Sequence, residues 1–299
     1  MAAPFPTPTT KWHNNTYEAL SPTRPELSAK GKTVLVTGGG TGIGAETARY
    51  FAAAGASRIA LLGRREQPLL ETKASIERQY PGVEVFVAST DVTKKSEVDA
   101  AFAKFLGTDG KVDVVVSNAA IIGPQESVRD VDGDKFIDAV NQNLRGALLV
   151  AQAFLRHAAK DAVAINVSSS AAHINFAPLF AAYSTAKMAV VRLWDSLASA
   201  NPDLSVFHVQ PGVVDTDMNK ESGGIKAVGF ADHVSLPASF MLWLASPEAR
   251  FLKGKFLWAN WDVEELKARR KELESTTDLN ITLGGWPFGR TGWKANWEW

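Results

Sequence analysis

Tyr183 and Lys187 are spaced for proton transfer. They lie four residues apart in the segment Tyr-Ser-Thr-Ala-Lys, so a helix would place both side chains on one face, one turn apart. A tyrosine phenol ordinarily has a pKa of about 10, which is too high for easy proton exchange at neutral pH. A neighbouring ammonium lowers that pKa because it stabilises the phenolate. The pair therefore predicts a tyrosine that acts as a general acid and base, provided that a substrate site surrounds it.

A glycine-rich segment at residues 37–44, Thr-Gly-Gly-Gly-Thr-Gly-Ile-Gly, lies between a strand candidate and a helix candidate. Glycines permit a tight turn and let a pyrophosphate approach the backbone, and the free N–H groups of the helix then bind the anion. An ATPase P-loop needs lysine followed by serine or threonine after its last glycine. Here Ala45 and Glu46 follow Gly44, and the glutamate would repel a triphosphate. The segment therefore predicts a dinucleotide site.

The composition narrows the class of protein further. The chain has 299 residues, 45% of them hydrophobic and 21% charged, as in an ordinary globular protein. Basic and acidic residues balance at 32 each, so nucleic-acid binding is not expected. The absence of cysteine excludes disulfides and thiolate metal sites, and the histidines lack metal-binding spacing, so no metal is predicted. We expect no membrane span, and an N-terminus without a signal-peptide pattern favours the cytoplasm.

Short apolar runs alternate with longer amphipathic stretches from residue 31 onward. The strand candidates are Thr33–Thr37, Ile59–Leu62, Val83–Ala88, Val112–Val116, Val163–Val167, Ser205–Val209 and Phe256–Trp258. The helix candidates are Gly44–Ala54, Pro68–Gln79, Ser96–Leu106, Lys135–His157, Ala186–Ala200 and Ala238–Leu244. This alternation predicts a single doubly wound α/β domain of Rossmann type over residues 31–262, with a parallel sheet of about seven strands. Proline-rich residues 1–30 are predicted to form an extended arm, and residues 263–299 a charged helix (Asp262–Glu274) and an aromatic tail.

The motifs resemble, in order, those of the classical short-chain dehydrogenase/reductase family. The glycine turn matches T-G-x-x-x-G-I-G, Tyr183 and Lys187 match Y-x-x-x-K, and Pro211–Thr216 matches P-G-x-V-x-T. The other matching segments are Asp91-Val92 at a strand end, Ser117-Asn118-Ala119-Ala120 in place of N-N-A-G, Asn143 in N-x-N-L-x-G, and Ser168-Ser169-Ser170. The resemblance covers about residues 31–262.

The resemblance implies a role for each matching residue. Tyr183 would be the general acid and base, Lys187 would also bond the nicotinamide ribose, and Asn143 would hold a water that links Lys187 to solvent. A serine would hold the substrate oxygen; strand register selects Ser169 and the distance from Tyr183 selects Ser170, and we favour Ser169 because loop length varies more readily. The residues implied to bind the cofactor are Gly38, Thr41, Gly42, Ile43, Gly44, Arg64, Asp91, Val92, Asn118, Ala119, Tyr183, Lys187, Pro211, Gly212, Val214 and Thr216.

The end of the second strand bears on the choice of cofactor. NAD-binding units carry an acidic residue there, about 20 residues after the glycine turn, to bond the ribose 2′-hydroxyl. Gly63 stands at that position and Arg64 follows, and a guanidinium binds a 2′-phosphate through charge-assisted bonds. The cofactor is therefore predicted to be NADP(H), with NAD(H) as the alternative, although Thr41 stands where many NADP-preferring relatives have a basic residue.

The predicted function is hydride transfer between NADP(H) and a small-molecule carbonyl or alcohol substrate. Two alternatives stay open: an enzyme of the same fold that performs a non-redox or epimerising reaction, and a dinucleotide-binding regulatory protein. The substrate itself is not predicted. His173 follows the serine cluster and would either line the substrate pocket or be a loop histidine without a catalytic role.

Two predictions concern surfaces outside the site. The helices around 135–157 and 183–200 carry more apolar residues than one sheet face needs, which suggests that they pair across a two-fold axis in a homodimer or homotetramer. On the second helix these residues are Val190, Val191, Leu193, Trp194 and Leu197. The tail Ile281–Trp299 holds Trp286, Phe288, Trp293, Trp297 and Trp299, and we expect so aromatic a segment to dock rather than remain disordered.

Overall fold

Seven parallel strands form one sheet in the order β3-β2-β1-β4-β5-β6-β7, which confirms the predicted fold class. The computed structural model describes residues 3–175, 178–225 and 229–283. The strands are β1 (Thr33–Thr37), β2 (Arg58–Gly63), β3 (Glu84–Ser89), β4 (Val112–Ser117), β5 (Ala158–Val167), β6 (Ser205–Gln210) and β7 (Phe256–Trp258). The helices between and after these strands are α1 (Gly42–Ala53), α2 (Glu66–Gln79), α3 (Lys95–Leu106), α4 (Gly133–His157), α5 (Ala181–Ala200), α6 (Asp217–Glu221), α7 (Ser235–Leu244), α8 (Val263–Ala268) and α9 (Arg270–Ser275).

Helices cover both faces of the sheet, and this explains why the strands are apolar at successive positions. Val34 and Val36 belong to a core with α1, α2 and α7, whereas Leu35 between them belongs to a second core with α3, α4 and α5. All three side chains are fully buried. Each such burial contributes about 1.5–3 kcal/mol, so both faces of every central strand favour apolar residues.

The strand order reverses between β1 and β4, which are hydrogen-bonded neighbours in the middle of the sheet. In doubly wound folds the crevice at this switch point, outside the carboxyl ends of the strands, binds the ligand. The glycine turn follows β1, the Ser117–Ala120 segment ends β4, the three serines follow β5, and Pro211–Thr216 follows β6. The topology therefore gathers the predicted motifs along one edge of the sheet.

Some predicted element boundaries were wrong. β5 begins at Ala158 rather than Val163, because Ala158 pairs with Val112 of β4 beyond a register shift. α5 begins at Ala181 rather than Ala186, directly after a 3-10 turn at Pro178–Phe180. The helix predicted at Asp262–Glu274 is two short helices, α8 and α9, that break at Arg269 (φ −93°, ψ 14°).

The N-terminal segment contains more structure than its prolines indicated. Two 3-10 helices form at Glu18–Leu20 and Pro25–Leu27, and the second begins on proline, whose fixed φ suits a first helical position. Leu20 and Leu27 are fully buried in the core beside α7. Farther upstream Trp12 forms an antiparallel bridge with Trp261. The segment is thus packed along the body of the protein.

The apolar residues of α4 and α5 divide between the core and the surface. Four residues of α5 that the sequence suggested for an intersubunit surface are instead buried in the protein's own core: Val190, Val191, Trp194 and Leu197. Val190, Trp194 and Leu197 recur three or four positions apart on the helix face that packs inward, and Val191 adjoins them. A second set of large apolar residues on the two helices is exposed: Ile137, Leu148, Leu155 and Met188. Within the described residues, no helix is long and apolar enough to cross a membrane.

Candidate active site at the carboxyl edge of the sheet

Tyr183, Ser169 and Lys187 lie together beyond the end of β5. Tyr183 and Lys187 occupy the first turns of α5, and the Tyr183 phenol is hydrogen-bonded to Ser169. The Lys187 ammonium donates a hydrogen bond of 2.8 Å to the Val167 carbonyl at the end of β5 and lies 5.5 Å from the centroid of the Tyr183 ring. The helical spacing expected from the sequence is therefore present, although the predicted start of the helix was too late.

Burial controls the protonation of this pair. Desolvation raises the pKa of Tyr183 to about 12, although the hydrogen bond with Ser169 opposes this effect. Desolvation also lowers the pKa of Lys187 to about 8. The expected lowering of the phenol pKa is not found in this structure, because burial raises that pKa by more than the hydrogen bond with Ser169 lowers it. At neutral pH the phenol is protonated and can act as a proton donor.

The three consecutive serines have different environments. Ser169 contacts Tyr183 and also accepts a hydrogen bond of 3.2 Å from the Ala171 N–H. Ser170 is buried, and its N–H donates to the Gln210 side chain of β6 at 2.9 Å. The Ser168 hydroxyl is buried without a hydrogen-bond partner among the described residues. Ser169, rather than Ser170, is therefore the serine that lies beside the phenol.

Asn143 is buried in α4 and holds the loop that follows β4. Its side-chain amide donates to the carbonyls of Ile121 at 3.0 Å and Ala139 at 2.9 Å. Its side-chain oxygen accepts from the Ile121 N–H at 3.1 Å. Both amide donors are thus occupied by backbone partners, and only the oxygen retains acceptor capacity. The side chain positions the loop beside the cleft, and the water-holding role of Asn143 stays a prediction.

The glycine turn leaves no room for side chains. A Cβ on Gly44 would lie closer than 3.0 Å to the Gly38 carbonyl, and one on Gly38 would lie 2.7 Å from the Asn118 amide nitrogen. Gly38 and Gly42 also have positive φ angles of 66° and 54°, which glycine adopts without strain. A Cβ on Gly42 would lie 2.9 Å from the Thr216 methyl group. The turn therefore needs these three glycines for its conformation and its packing.

Thr37 braces this turn, and the sequence reasoning did not single it out. Its hydroxyl accepts hydrogen bonds from the backbone N–H groups of Asn118 at 2.9 Å and Ala119 at 3.0 Å. The Asn118 side chain in turn donates to the Thr37 carbonyl at 2.9 Å. The signal in the sequence that could have identified this role is a threonine at the last position of an otherwise apolar strand. These bonds join the ends of β1 and β4 at the switch point.

Two adjoining cavities extend along this edge, of about 480 Å³ and about 260 Å³. The larger is lined by the glycine turn, Gly63, Arg64 and the Asp91–Thr93 segment, and the smaller by Tyr183 and Lys187. Residues shared by both include Gly38, Thr41, Arg64 and Ala119, so the two form one continuous cleft.

Charged side chains lie at the wall of the larger cavity. The Asp91 carboxylate accepts bonds from the Thr93 hydroxyl and N–H at 2.7 and 2.9 Å, which lower its pKa. Val92 beside it packs against Gly146 of α4, where a Cβ would lie 2.8 Å from a Val92 methyl group. Arg65 pairs with Asp217 across the cleft at 3.1 Å, with both side chains exposed. Arg64 remains at the cavity wall beside Gly63.

The segment Pro211–Thr216 is held by a buried carboxylate that the sequence reasoning missed. Asp232 accepts the Val213 N–H at 2.7 Å and the Asn260 side-chain amide at 2.9 Å. Burial raises the pKa of Asp232. The Gly212 backbone (φ 90°) lies so close to Asp232 that a Cβ at this position would be 2.5 Å from the carboxylate.

The two other predicted residues of that segment have structural contacts of their own. Val214 is buried and forms a parallel bridge with Asp232. Thr216 caps α6, because its hydroxyl accepts from the Asn219 N–H at 3.2 Å. Within the described residues, no three or more His, Cys, Asp or Glu side chains come together in a cluster that could hold a metal ion.

The family model described as short chain dehydrogenase matches residues 32–224. A short chain dehydrogenase/reductase of Claviceps purpurea is 35% identical over 90% of this chain and 91% of its own length. The chain belongs to the short-chain dehydrogenase/reductase family. The Aspergillus aculeatus protein AacuD, which carries the same family description, is 34% identical over 94% of this chain and 97% of its own length.

The fold comparison agrees with this membership. The crystal structure of a short chain dehydrogenase from Burkholderia cenocepacia, in complex with NADP, superposes with a TM-score of 0.70 at 26% identity, over 79% of this chain and 99% of that chain. As a member of the family the chain is an oxidoreductase that binds a nicotinamide dinucleotide and acts on a small molecule. The cleft fits such a group, since the glycine turn borders an open cavity of about 480 Å³ through Gly38, Gly40 and Thr41.

Proposed function

We propose that this family member transfers hydride reversibly between NADP(H) and a carbonyl or alcohol substrate, with Tyr183 as the general acid and base. The observation that carries the proposal is the placement of Tyr183 against Ser169, one helical turn from a buried lysine, in the cavity next to the glycine turn. A protonated phenol can supply the proton that a carbonyl oxygen needs when it becomes an alcohol.

The three side chains have separate tasks in this proposal. A bound nicotinamide supplies or accepts the hydride. The Ser169 hydroxyl holds the substrate oxygen beside the phenol, and the Tyr183 phenol transfers the proton. The Lys187 ammonium, whose pKa of about 8 leaves it mostly charged at neutral pH, stabilises the phenolate that remains. Asn143 would contribute indirectly, by holding the loop after β4 and through a water near Lys187.

We propose NADP(H) rather than NAD(H) because Arg64 lines the larger cavity, and because glycine, at Gly63, stands at the end of β2 where NAD-binding units carry a carboxylate. A carboxylate there would repel a 2′-phosphate, whereas a guanidinium binds it. The short chain dehydrogenase from Burkholderia cenocepacia was crystallised in complex with NADP, which supports the same choice here. The other proposed cofactor-binding residues are those implied by the family motifs. Most of them line the two cavities, whereas Gly44, Gly212 and Val214 lie behind the lining residues.

The test measures NADPH oxidation against a panel of ketones, aldehydes, sugars and aromatic polyketides. Tyr183→Phe removes one hydroxyl, so we expect turnover to fall about a hundredfold or more while NADPH binding persists. Tyr80→Phe, on the loop between α2 and β3, is the matched control and should retain activity. A Tyr183→Phe variant within a few-fold of wild type would contradict the assignment. Substrate conversion without net NADPH oxidation would instead favour a non-redox or epimerising reaction.

We also propose that the protein is a homodimer or homotetramer through α4 and α5. The exposed residues Ile137, Leu148 and Leu155 recur along α4, and Met188 is exposed on the neighbouring α5. Exposed apolar side chains that share a surface in this way favour burial against a second copy.

A further inference from the structure

His173 is an exposed side chain that is nevertheless held rigidly. It follows the 3-10 helix Ser170–Ala172, directly after Ser169. The indole N–H of Trp258 donates a hydrogen bond of 3.1 Å to its Nε2. The imidazole also packs edge-on against the rings of Phe256 at 4.7 Å and Trp258 at 5.7 Å. Three contacts therefore fix the orientation of a ring that still reaches the surface.

The bond from Trp258 decides where the proton of His173 lies. An indole nitrogen can only donate, so Nε2 must accept through its lone pair. A ring that accepts at Nε2 is neutral and carries its proton on Nδ1. The part of the ring that is covered by its neighbours is desolvated, which also lowers the pKa of His173 and keeps the ring neutral near pH 7. His173 consequently offers one fixed N–H donor, at Nδ1, and no hydrogen bond occupies that donor among the described residues.

The backbone that carries His173 lies close to the proposed reaction centre, because the 3-10 helix Ser170–Ala172 starts directly after Ser169 and packs against α5. The 3-10 helix rises about 2 Å per residue, so His173 lies about 8 Å along the chain from Ser169. The backbone N–H of His173 donates to the Ser170 carbonyl at 2.9 Å, and the backbone N–H of Ser170 donates to the side chain of Gln210 in β6. The loop that carries the donor is therefore tied to the same strand ends that carry the candidate active site.

An aromatic wall adjoins the donor through Trp258. Phe5, from the N-terminal segment, packs on Trp258 with ring centroids 5.2 Å apart. Phe5 also meets Phe230, from the chain between α6 and α7, edge-to-face at 6.3 Å. Phe5 and Phe230 are only partly buried, whereas Trp258 is buried behind them. An aromatic surface next to a single neutral donor suits a flat, apolar molecule that carries one acceptor oxygen.

We propose that His173 is a substrate-binding residue, whose Nδ1–H donates to a second oxygen of a ring-containing carbonyl substrate lying against Phe5 and Phe230. The inference rests on the proposed carbonyl reduction and adds the substrate class: an aromatic or polycyclic ketone with an acceptor oxygen apart from the reacting carbonyl.

Two substitutions separate this role from a purely structural one. His173→Gln keeps an acceptor near the position of Nε2 for Trp258 but lacks a donor at the position of Nδ1. His173→Asn has the opposite geometry, because its amide nitrogen can replace Nδ1–H while the bond from Trp258 is lost. We therefore expect His173→Gln to retain thermal stability and His173→Asn to retain ligand preference.

The experiment measures binding of tetralone and of a ring-hydroxylated tetralone by calorimetry with saturating NADP⁺, in the Tyr183→Phe background, which blocks turnover. We expect the hydroxylated ketone to bind more tightly than the unsubstituted one. We expect His173→Gln to reduce that preference about threefold to tenfold, because one neutral hydrogen bond to the ligand is lost. His173→Asn should keep most of it. An unchanged preference in His173→Gln, equal losses in both variants, or failure of both ketones to bind overturns the proposal.

A second measurement reads the tautomer directly. Nitrogen-15 spectra of the His173 ring should show a protonated Nδ1 at neutral pH, and Trp258→Phe should shift the proton toward Nε2. A wild-type Nε2–H tautomer or an imidazolium overturns the inference. The two proposals fail separately: if the wild-type protein oxidises no NADPH with either ketone while His173→Gln still loses the binding preference, the proposed reaction fails and the role of His173 stands.

Discussion

Gly44→Ala tests whether the first turn of α1 is packed as closely as the structure indicates. Alanine is ordinarily favoured over glycine in a helix by about 1 kcal/mol, and the φ angle of Gly44 is not in the left-handed region. The new Cβ would, however, lie closer than 3.0 Å to the Gly38 carbonyl and 2.8 Å from the Asn118 amide nitrogen. The Asn118 amide cannot move away freely, because it is bonded to the Thr37 carbonyl at 2.9 Å.

The free-energy cost of the close contacts made by the new Cβ should exceed the stability that alanine gains over glycine in a helix. Restoring ordinary contacts requires the turn to move by roughly 1 Å in a densely packed region, and such overpacking costs about 1–3 kcal/mol. We therefore expect the free energy of unfolding to fall by up to about 2 kcal/mol. The movement also displaces the N–H groups proposed to bind the cofactor pyrophosphate. Loss of one hydrogen bond to a charged group, about 1.5–3 kcal/mol, should weaken NADPH binding at least tenfold.

Fluorescence titration gives the Kd for NADPH, and urea unfolding gives the stability. Gly82→Ala is the matched control, because a Cβ at this exposed glycine meets nothing within 4 Å. The control should leave the Kd unchanged and the stability within about 1 kcal/mol of wild type. If Gly44→Ala binds NADPH as tightly as the control and unfolds at the same urea concentration, the described packing of the turn is wrong.

Three further predictions follow from charged and apolar side chains. Arg64→Ala should raise the KM for NADPH about tenfold or more and that for NADH much less; steady-state kinetics with both cofactors checks this, and equal effects would refute the role of Arg64. Burial alone would raise the pKa of Glu248, but bonds from Arg24 at 2.8 Å and Lys267 at 3.2 Å outweigh it and hold the pKa below 4.5. Their stabilisation is therefore present above pH 4.5 and lost as the pH falls through the lower folded-state pKa. In urea unfolding, Glu248→Gln should consequently destabilise the protein near neutral pH and much less at about pH 3, whereas a pH-independent difference would contradict the linkage. Light scattering at micromolar concentration should give a dimer or tetramer mass that Ile137→Glu lowers, and a monomer mass for the wild-type protein would exclude the proposed assembly.

The order of the elements could be predicted from the sequence because it depends on local patterns. Strands covered on both faces are apolar at successive positions, as Val34, Leu35 and Val36 are, and amphipathic helices separate them. The glycine turn has requirements of its own, including positive φ angles at Gly38 and Gly42, so its residue types identify it without any distant contact. The family resemblance, now confirmed, follows from the same local motifs.

Element ends and burial depended on contacts across the sequence. β5 extends back to Ala158 because Val112 of β4 pairs with it, and this pairing leaves no mark in the segment itself. The apolar residues of α5 that suggested an intersubunit surface are buried in the protein's own core, since the sequence shows how apolar a helix is but not what covers it. The aromatic residues predicted to dock from the C-terminal tail, Trp286 onward, lie outside the described residues.

The sequence by itself determined the fold class and the chemical types of the site residues: a phenol, an ammonium and a serine cluster, each at the end of a recognisable element. Only the tertiary structure decided which serine lies beside Tyr183, that Asn143 is bonded to the Ile121 backbone, and that Asp232 holds the segment after β6. It also reversed the expected direction of the Tyr183 pKa shift. The reason is that hydrogen-bond partners and desolvation depend on which distant segments meet, and spacing along the chain does not specify either.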